Sequence, residues 1–430
     1  MPTSPTPSRA VLITGMGAVS PIGIGVPAYI AGVRGGRSGT RLLDGQLDRS
    51  RVRTSAAADC AAFEPASVLP EAELKRLPRL VPMALAAARE AWGAAGLPEP
   101  GTADEAWSRG VAVLLGTGGG GADFVQEQSA RRHIGRAMSL WTVTNATHGN
   151  LAGELSIHLG AHGPSHCISD GCASSSNALG FARDLLNSGR PGAPHTAVVV
   201  GADAPITAPT LESMELLGVI STAPYSTQND AARASRPFCA RRDGFVLGEG
   251  AWAMVLQRPG AAHRPPIGEF IGFGSTCDAF HRVRPEPDMR ESARAMKLAI
   301  EDAGIGPGDV ELMHYHGTAT KLNDALETKA VKLAFSDHAH RLVGHSVKSQ
   351  IGHPQGACGL AAAVATLGAM RGCDADPCGP FAPPTINLDE PDPDCDLDYT
   401  PGRAKPSQAS IAMVNCLAFG AKNSAILLQI

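Results

Sequence analysis

The sequence predicts an α/β fold built as two halves of similar size. The 430 residues exceed what one simple core accommodates. Short apolar β runs alternate with Ala-rich segments of helical period along the chain. The 49 glycines and 33 prolines suit many strand-to-helix turns better than a helical bundle. Hydrophobic residues make up 43% of the chain and charged residues 18%, enough to bury a large core.

Ala10–Met16 (AVLITGM) reads as a buried first strand. Leu80–Ala95 carries helical periodicity, and Gly110–Leu115 is a buried strand that runs into the glycines of Gly116–Gly121. Asn150–His158 reads as helical, Ser165–Ser169 as a short strand, and Ala173–Ser188 as a helix with apolar Ala178, Leu179, Phe181, Leu185 and Leu186. Ala197–Ala202 is a buried strand, and Gly244–Gln257 reads as paired strands. A Pro/Gly/Ala-rich stretch from Arg258 to Pro266 separates an N-terminal half, 1–260, from a C-terminal half, 261–430. The second half repeats the alternation. Its strands are expected near Glu269–Gly274, Val310–His314, His345–Val347, Ile411–Val414 and Ser424–Leu428, and its helices at Ser292–Ala303, Ala325–Ala334 and Gly356–Met370. There is no short-period repeat, but strand, Gly-containing turn and Ala-rich helix occur at Cys172 and again at His353.

A net charge of −4 speaks against a nucleic-acid or membrane-surface protein. No apolar run reaches the roughly 18 residues of a membrane span. The opening MPTSPTPSRA has no apolar h-region, so a cytoplasmic location with free thiols is expected for the ten cysteines. Cys373, Cys378 and Cys395 lack the close-spaced quartet of a zinc site, and no metal is expected.

Four blocks could carry chemistry. In Ser169-Asp170-Gly171-Cys172-Ala173, a helix starts at Cys172 or just after, which places the thiol at the positive end of a macrodipole. That setting favours thiolate, and the Cys172 N–H could stabilise an oxyanion; the alternative is a buried structural cysteine. In His314-Tyr315-His316-Gly317-Thr318-Ala319-Thr320, a strand delivers His316 to a turn of small hydroxyl residues, where its Nε2 could donate to a carbonyl oxygen. In Lys348-Ser349-Gln350-Ile351-Gly352-His353, Lys348 is expected to end a strand and His353 to precede a helix whose N-terminus keeps the imidazole neutral. Lys348 needs a buried partner, for which Glu327 is the candidate. Asn415–Asn423 (NCLAFGAKN) reads only as a turn between strands. Together Cys172, His316 and His353 make a Cys–His–His constellation.

VLITGMGAVSPIG, CASSS, PFCARRDGFVLGEGA, HGTATKLND, VKSQIGHPQGACG and NCLAFGAKN stand in an order that resembles the elongating β-ketoacyl synthases of fatty-acid and type II polyketide synthesis. The resemblance covers nearly the whole chain. It implies a thiolase-like αβαβα layered sandwich of two pseudo-duplicated halves. By motif, Cys172 matches the acyl-accepting nucleophile, and His316 and His353 match the pair that supports malonyl decarboxylation. Lys348 matches the lysine beside that pair, and Glu327 its acidic partner. Thr318 and Thr320 match contacts to the pantetheine arm. Phe419 matches an aromatic gate whose N–H completes the oxyanion hole with that of Cys172. Asp278 and His281 match a mobile entrance loop, and Thr117 a position near the end of the acyl pocket.

The implied reaction is decarboxylative condensation of the Cys172-bound acyl group with malonyl-acyl carrier protein. The implied substrates ride on the 4'-phosphopantetheine of the carrier, with no cofactor of the enzyme's own. The implied assembly is a homodimer, or a heterodimer with a chain-length-factor-like subunit. The remaining readings are an inactive chain-length partner, against which Cys172 and both histidines speak, a starter-type or thiolase relative, against which the two histidines speak, and an acyltransferase that uses the same thiol.

Two departures stand out. Asp170-Gly171 replaces the usual Thr-Ala, and an acid beside a thiolate is expected to point away or bond to backbone. Ala418-Phe419-Gly420-Ala421 replaces Gly-Phe-Gly-Gly, which predicts a stiffer gate. An acidic carrier needs a basic landing site, offered by Lys75, Arg76 and Arg79 or by Arg131, Arg132 and Arg136.

Overall fold

The computed structural model describes residues 10–43, 51–372 and 379–430. Cys373, Cys378 and the first nine residues lie outside the described residues. Ten strands dominate the sheet: β1 (Val11–Ser20), β2 (Val111–Gly116), β3 (Ser165–Ile168), β4 (Thr196–Asp203), β5 (Gly250–Gln257), β6 (Gly268–Cys277), β7 (Leu312–His314), β8 (Val343–His345), β9 (Ile411–Ala418) and β10 (Lys422–Gln429). Their order across the sheet is β8-β7-β9-β10-β6-β1-β5-β4-β2-β3.

That order contains one pattern twice. Numbered within each half, the strands from the middle outward run first, fifth, fourth, second, third on both sides. In each half the second strand pairs parallel with the third, and the first three from the middle pair antiparallel. The halves meet where β1 and β6 pair antiparallel over Val11–Ile13.

Two central helices, α4 (Ser174–Leu186) and the Ala-rich α7 (Cys358–Arg371), pack on each other and touch strands of both halves. Small side chains allow this: a Cβ on Gly359 would stand 2.1 Å from Ser176 Oγ. Helix α7 is buried from Cys358 to Met370, including Leu360, Val364 and Leu367. Each such side chain contributes roughly 1.5–3 kcal/mol on removal from water. Helices α1 (Leu80–Ala94) and α3 (His148–Leu159) cover the outer face of the first half; α2 (Ala122–His133) follows the glycine run between them. Helix α5 (Arg290–Ala303) covers the outer face of the second half, and α6 (Lys321–Phe335) packs on it. The layers are therefore α, β, α, β, α, the thiolase-like sandwich that the sequence implied.

Two local expectations change. Gly244–Gln257 is not a pair of strands: only β5 is regular, and before it Phe245, Leu247 and Gly248 form isolated bridges. That stretch holds the site instead, since the Gly248 N–H donates to His353 O and the His353 N–H to Val246 O. Lys348 does not end a strand but opens the one-turn helix Lys348–Ile351 after β8. Among the described residues no helix is long and apolar enough to cross a membrane.

Candidate active site

The two strand–turn–helix echoes occupy equivalent places in the two halves. β3 ends at Ile168, a tight turn over Gly171–Ala173 follows, and α4 starts at Ser174. β8 ends at His345, and His353 precedes the turn Gln355–Ala357 and α7. Because α4 and α7 pack side by side, their N-terminal turns come together, and with them Cys172 and His353. β7 lies beside β8 and delivers His316 to the same point. Cys172 Sγ lies 3.3 Å from His353 Nε2, and the His316 and His353 rings stand 5.6 Å apart at 86°.

The ligating atoms of Cys172, His316 and His353 lie within 4.8 Å of one another, close enough to hold a metal. The hydrogen bonding speaks for another use. His353 Nδ1 accepts from the Gln355 N–H at 3.1 Å, and His316 Nδ1 faces the Lys348 ammonium at 3.4 Å. Both imidazoles are thereby held with the proton on Nε2, where they donate hydrogen bonds rather than a lone pair. Such a donor pair suits a carbonyl oxygen that becomes negative.

Burial, then the charge of Lys348, holds both imidazoles well below the ordinary histidine pKa, so they are neutral at pH 7. Burial also pushes the Cys172 thiol up to about 12. Lys348 and the Phe419 N–H, which points at the sulfur, pull in the opposite direction. Against the expectation of a thiolate at the helix end, Cys172 is 9% exposed, and its desolvation outweighs the pull of Lys348 and the Phe419 N–H.

Glu327 does not pair with Lys348. Its carboxylate accepts from the His316 N–H at 2.6 Å, the Gly317 N–H at 2.8 Å and Asn415 Nδ2 at 2.7 Å. Burial raises it to about 7. Lys348 Nζ instead donates to the His316 carbonyl at 2.7 Å. The two residues thus clamp the His316 backbone from opposite sides.

A cavity of about 560 Å³ reaches Cys172, His316 and His353. Thr318, Thr320, Asp278, His281 and Phe419 line it, as do Leu216, Leu217, Phe245 and Arg284, which the sequence had not singled out. The Thr318 and Thr320 hydroxyls lie 3.0 Å apart, and Thr320 caps α6. His281 Nδ1 accepts from the Val283 and Arg284 N–H groups, and Asp278 accepts from Asn423 Nδ2 at 2.6 Å.

Thr117 is not among the lining residues. It is fully buried, and its hydroxyl donates to Asp203 at 2.8 Å. Asp203 also accepts from the N–H groups of Gly118, Gly119 and Gly356, joining the end of β2 to the turn after His353. The signal for this knot was a carboxylate at the end of the otherwise apolar TAVVVGAD strand.

Asp170 turns away from the cavity that Cys172 lines, and its carboxylate does not bond to backbone. Its carboxylate pairs with the Lys422 ammonium and accepts from Asn177 Nδ2. Of the two basic clusters, Arg79 is taken up by Glu249, while Lys75 and Arg76 sit on the surface beside Glu71 and Glu73. Arg131 and Arg132 end α2 and are exposed, as is Arg136.

Residues 8–262 match the N-terminal domain of beta-ketoacyl synthase, and residues 267–387 its C-terminal domain. The chain is 34% identical over 425 residues to a 3-oxoacyl-[acyl-carrier-protein] synthase 2 of a Synechocystis species, covering 96% of each chain. A chain of a solved type II polyketide synthase complex, an acyl-carrier protein with its ketosynthase bound to the hexaketide, superposes with a TM-score of 0.85 at 26% identity, over 98% of this chain and 99% of that one. A beta-ketoacyl synthase from Burkholderia phymatum superposes with a TM-score of 0.84 at 28% identity, over 98% and 99%.

Proposed function

The chain belongs to the β-ketoacyl synthase family, and on that footing we propose how its residues carry the condensation of a Cys172-bound acyl group with a malonyl-carrier thioester. In the first half-reaction the Cys172 sulfur attacks the acyl thioester. The carbon–sulfur bond to the carrier breaks, and the proton of the Cys172 thiol ends on the pantetheine thiol. The Cys172 and Phe419 N–H groups receive the tetrahedral oxyanion.

In the second half-reaction the malonyl thioester oxygen lies between the Nε2–H groups of His316 and His353. Loss of CO2 leaves its electron pair on the α-carbon, and the enolate oxygen is held by those two donors. The α-carbon attacks the acyl-Cys172 carbonyl. Collapse of the oxyanion expels the Cys172 sulfur, which recovers a proton, and yields a 3-oxoacyl-carrier product. The observation that carries this reading is the pair of neutral imidazoles, each with a ring nitrogen that lies within 4.8 Å of the other and of Cys172 Sγ, on one cavity.

Thr318 and Thr320 line the mouth for the pantetheine arm, and the surface clusters at Lys75–Arg76 and Arg131–Arg136 supply charge for an acidic carrier protein. The carrier's 4'-phosphopantetheine is the only prosthetic group this chemistry requires. We place the boundary between the halves at residues 260/261, in the loop between β5 and β6. A homodimer, or a heterodimer with a chain-length-factor-like subunit, fits the open β3 edge, beside which Ile157 and Phe181 stand exposed. The solved type II polyketide ketosynthase complex bound to a hexaketide supports a type II polyketide or specialised fatty-acid pathway, and the location proposed for it is the cytoplasm.

The test is mass spectrometry of acyl-Cys172 across a panel of acyl carriers, together with CO2 release from malonyl carrier. Acyl transfer to Cys172 with CO2 release and a 3-oxoacyl product is expected. Acyl loading without CO2 release would make the chain an acyltransferase. A product formed by the Cys172→Ala variant would remove the cysteine from the mechanism.

A further inference from the structure

A loop on the cavity wall is tied to the turn that carries the nucleophile. The loop Ala418–Lys422 joins β9 to β10 and places Phe419, Ala418 and Ala421 on the cavity wall. Its backbone bends through two left-handed residues, Gly420 (φ +83°) and Ala421 (φ +63°). A non-glycine residue in that region costs roughly 1–2 kcal/mol, so the loop keeps its shape only where something outside it holds it.

Three ties hold it. The Gly420 N–H donates to Arg282 O at 2.9 Å, and the Asp278 N–H donates to Ala421 O at 2.7 Å. The third is the Lys422–Asp170 ion pair, which alone reaches the nucleophile turn through charge. Asp170 is itself fixed: its second oxygen accepts from Asn177 Nδ2 at 2.8 Å on α4, and its N–H donates to Ser174 Oγ at 2.8 Å. Between these anchors Gly171 passes so close that a Cβ there would meet Phe419 O at 3.4 Å. Neither Asp170 nor Lys422 lines the cavity.

We propose that Asp170 and Lys422 form an electrostatic clasp that seats the 418–422 loop on the nucleophile turn, so that the Phe419 N–H is aimed at the Cys172 sulfur. They are positioning residues for acyl transfer, acting through Phe419. This rests on the reading of Cys172 as nucleophile and of the Phe419 N–H as an oxyanion donor. With the clasp closed, the donor is in place before the tetrahedral oxyanion forms. With it open, the loop samples positions in which the donor is absent. The pair is partly exposed, with Lys422 at 37% and Asp170 at 23%, so it biases the loop rather than locking it. A bias of that size corresponds to about a fivefold change in loop population.

The experiment compares the parent with Lys422→Met, Asp170→Asn, Lys422→Arg and the charge swap Asp170→Lys/Lys422→Asp, in two readouts. One is amide hydrogen exchange of the peptides covering 170–174 and 416–423. The other is the kcat and KM of acyl transfer from an octanoyl carrier. Lys422→Met and Asp170→Asn are expected to speed exchange at the Phe419 and Gly420 amides about fivefold and to lower kcat about fivefold with KM unchanged. Lys422→Arg should match the parent, and the swap should recover at least half of each loss. Thermal unfolding identifies any variant that is not folded, and for such a variant the Lys422→Gln change takes its place.

Unchanged exchange in both single variants would overturn the clasp. So would a swap that stays as slow as the singles while folded. Exchange does not depend on catalysis. If the parent fails to load acyl groups, the function above fails while the exchange result still decides the clasp.

Discussion

The reactivity of Cys172 toward a small alkylating agent should climb steeply with pH and not level off in the neutral range. Burial places the thiol pKa at about 12. Neither His316 nor His353 is charged at pH 7 to form a thiolate–imidazolium pair with it. At pH 8 the thiolate is therefore about one part in 10⁴, and the fraction rises about tenfold with each unit of pH until the pKa is reached. Between pH 7 and pH 10 the iodoacetamide rate constant should thus grow about a thousandfold. Lys348 is the main group drawing the pKa down, and its charge lies within reach of the sulfur in a buried site. Lys348→Met should then slow alkylation by roughly a further tenfold at every pH in that range. The assay is intact-mass counting of modified protein against time, with peptide mapping to assign the adduct to Cys172. A rate that levels off below pH 9, or one unaffected by Lys348→Met, would refute the argument, because either would mean that the sulfur is already ionised by a charged imidazole.

His316→Asn should leave acyl-Cys172 formation within a fewfold of the parent but lower CO2 release by about 10²-fold or more, the cost of losing one donor to a developing oxyanion; paired loading and decarboxylation assays check it. Burial raises the Glu327 pKa from 4.5 to about 7. The folded state therefore holds a proton there that the unfolded chain has released, and the stability this gives is present below pH 4.5 and lost as pH rises through 7. Between pH 4.5 and 7.5 the parent should lose about 3 kcal/mol more than Glu327→Gln, read from denaturant unfolding at each pH. Ala421→Gly should relieve the left-handed strain at φ +63°, leave Tm equal or higher, and raise acyl-transfer rates for bulkier chains; identical rates across an acyl panel would show that the loop's stiffness does not govern selectivity. Charge reversal at Lys75, Arg76, Arg131 and Arg132 should raise KM for carrier-bound substrates while leaving iodoacetamide reactivity alone.

Much of the fold was legible because its signals are local. Apolar runs such as AVVVGA and the Ala-rich stretch after His353 depend on side-chain size and spacing, and the sheet uses them where they fall. The reading failed where a residue's partner comes from far along the chain. Gly244–Leu247 alternates like a strand, yet its backbone bonds to Ala58, Val219, Ser221, Ala319 and His353 instead of a neighbouring strand. Lys348 and Glu327 are opposite charges near one histidine, so pairing them was reasonable. Backbone N–H groups at His316 and Gly317 satisfy the carboxylate first, and no sequence pattern displays backbone donors. The resemblance puts Thr117 near the end of the acyl pocket, and nothing in the sequence shows that its hydroxyl donates to Asp203, distant in the chain. The Asp170–Lys422 pair is hidden for the same reason, since its members stand in separate blocks, one read for its thiol and the other only as a turn.

The duplication explains why one thiol and two imidazoles converge without any of them standing on a long loop. In each half the third strand feeds a turn and then the buried central helix, so Cys172 and His353 hold the same topological position in two copies of one plan. Packing α4 against α7 then brings those positions within hydrogen-bonding reach, as the 3.3 Å contact records. Helix packing, with Gly359 seated against Ser176, sets the separation of the two turns. A side chain at Gly359 would push the helices apart and separate Cys172 from His353 with no reacting residue changed. Gly359→Ala should therefore lower condensation more than its effect on Tm accounts for. If the variant folds and keeps parental kcat, the helix contact does not set the distance between the nucleophile and its donor.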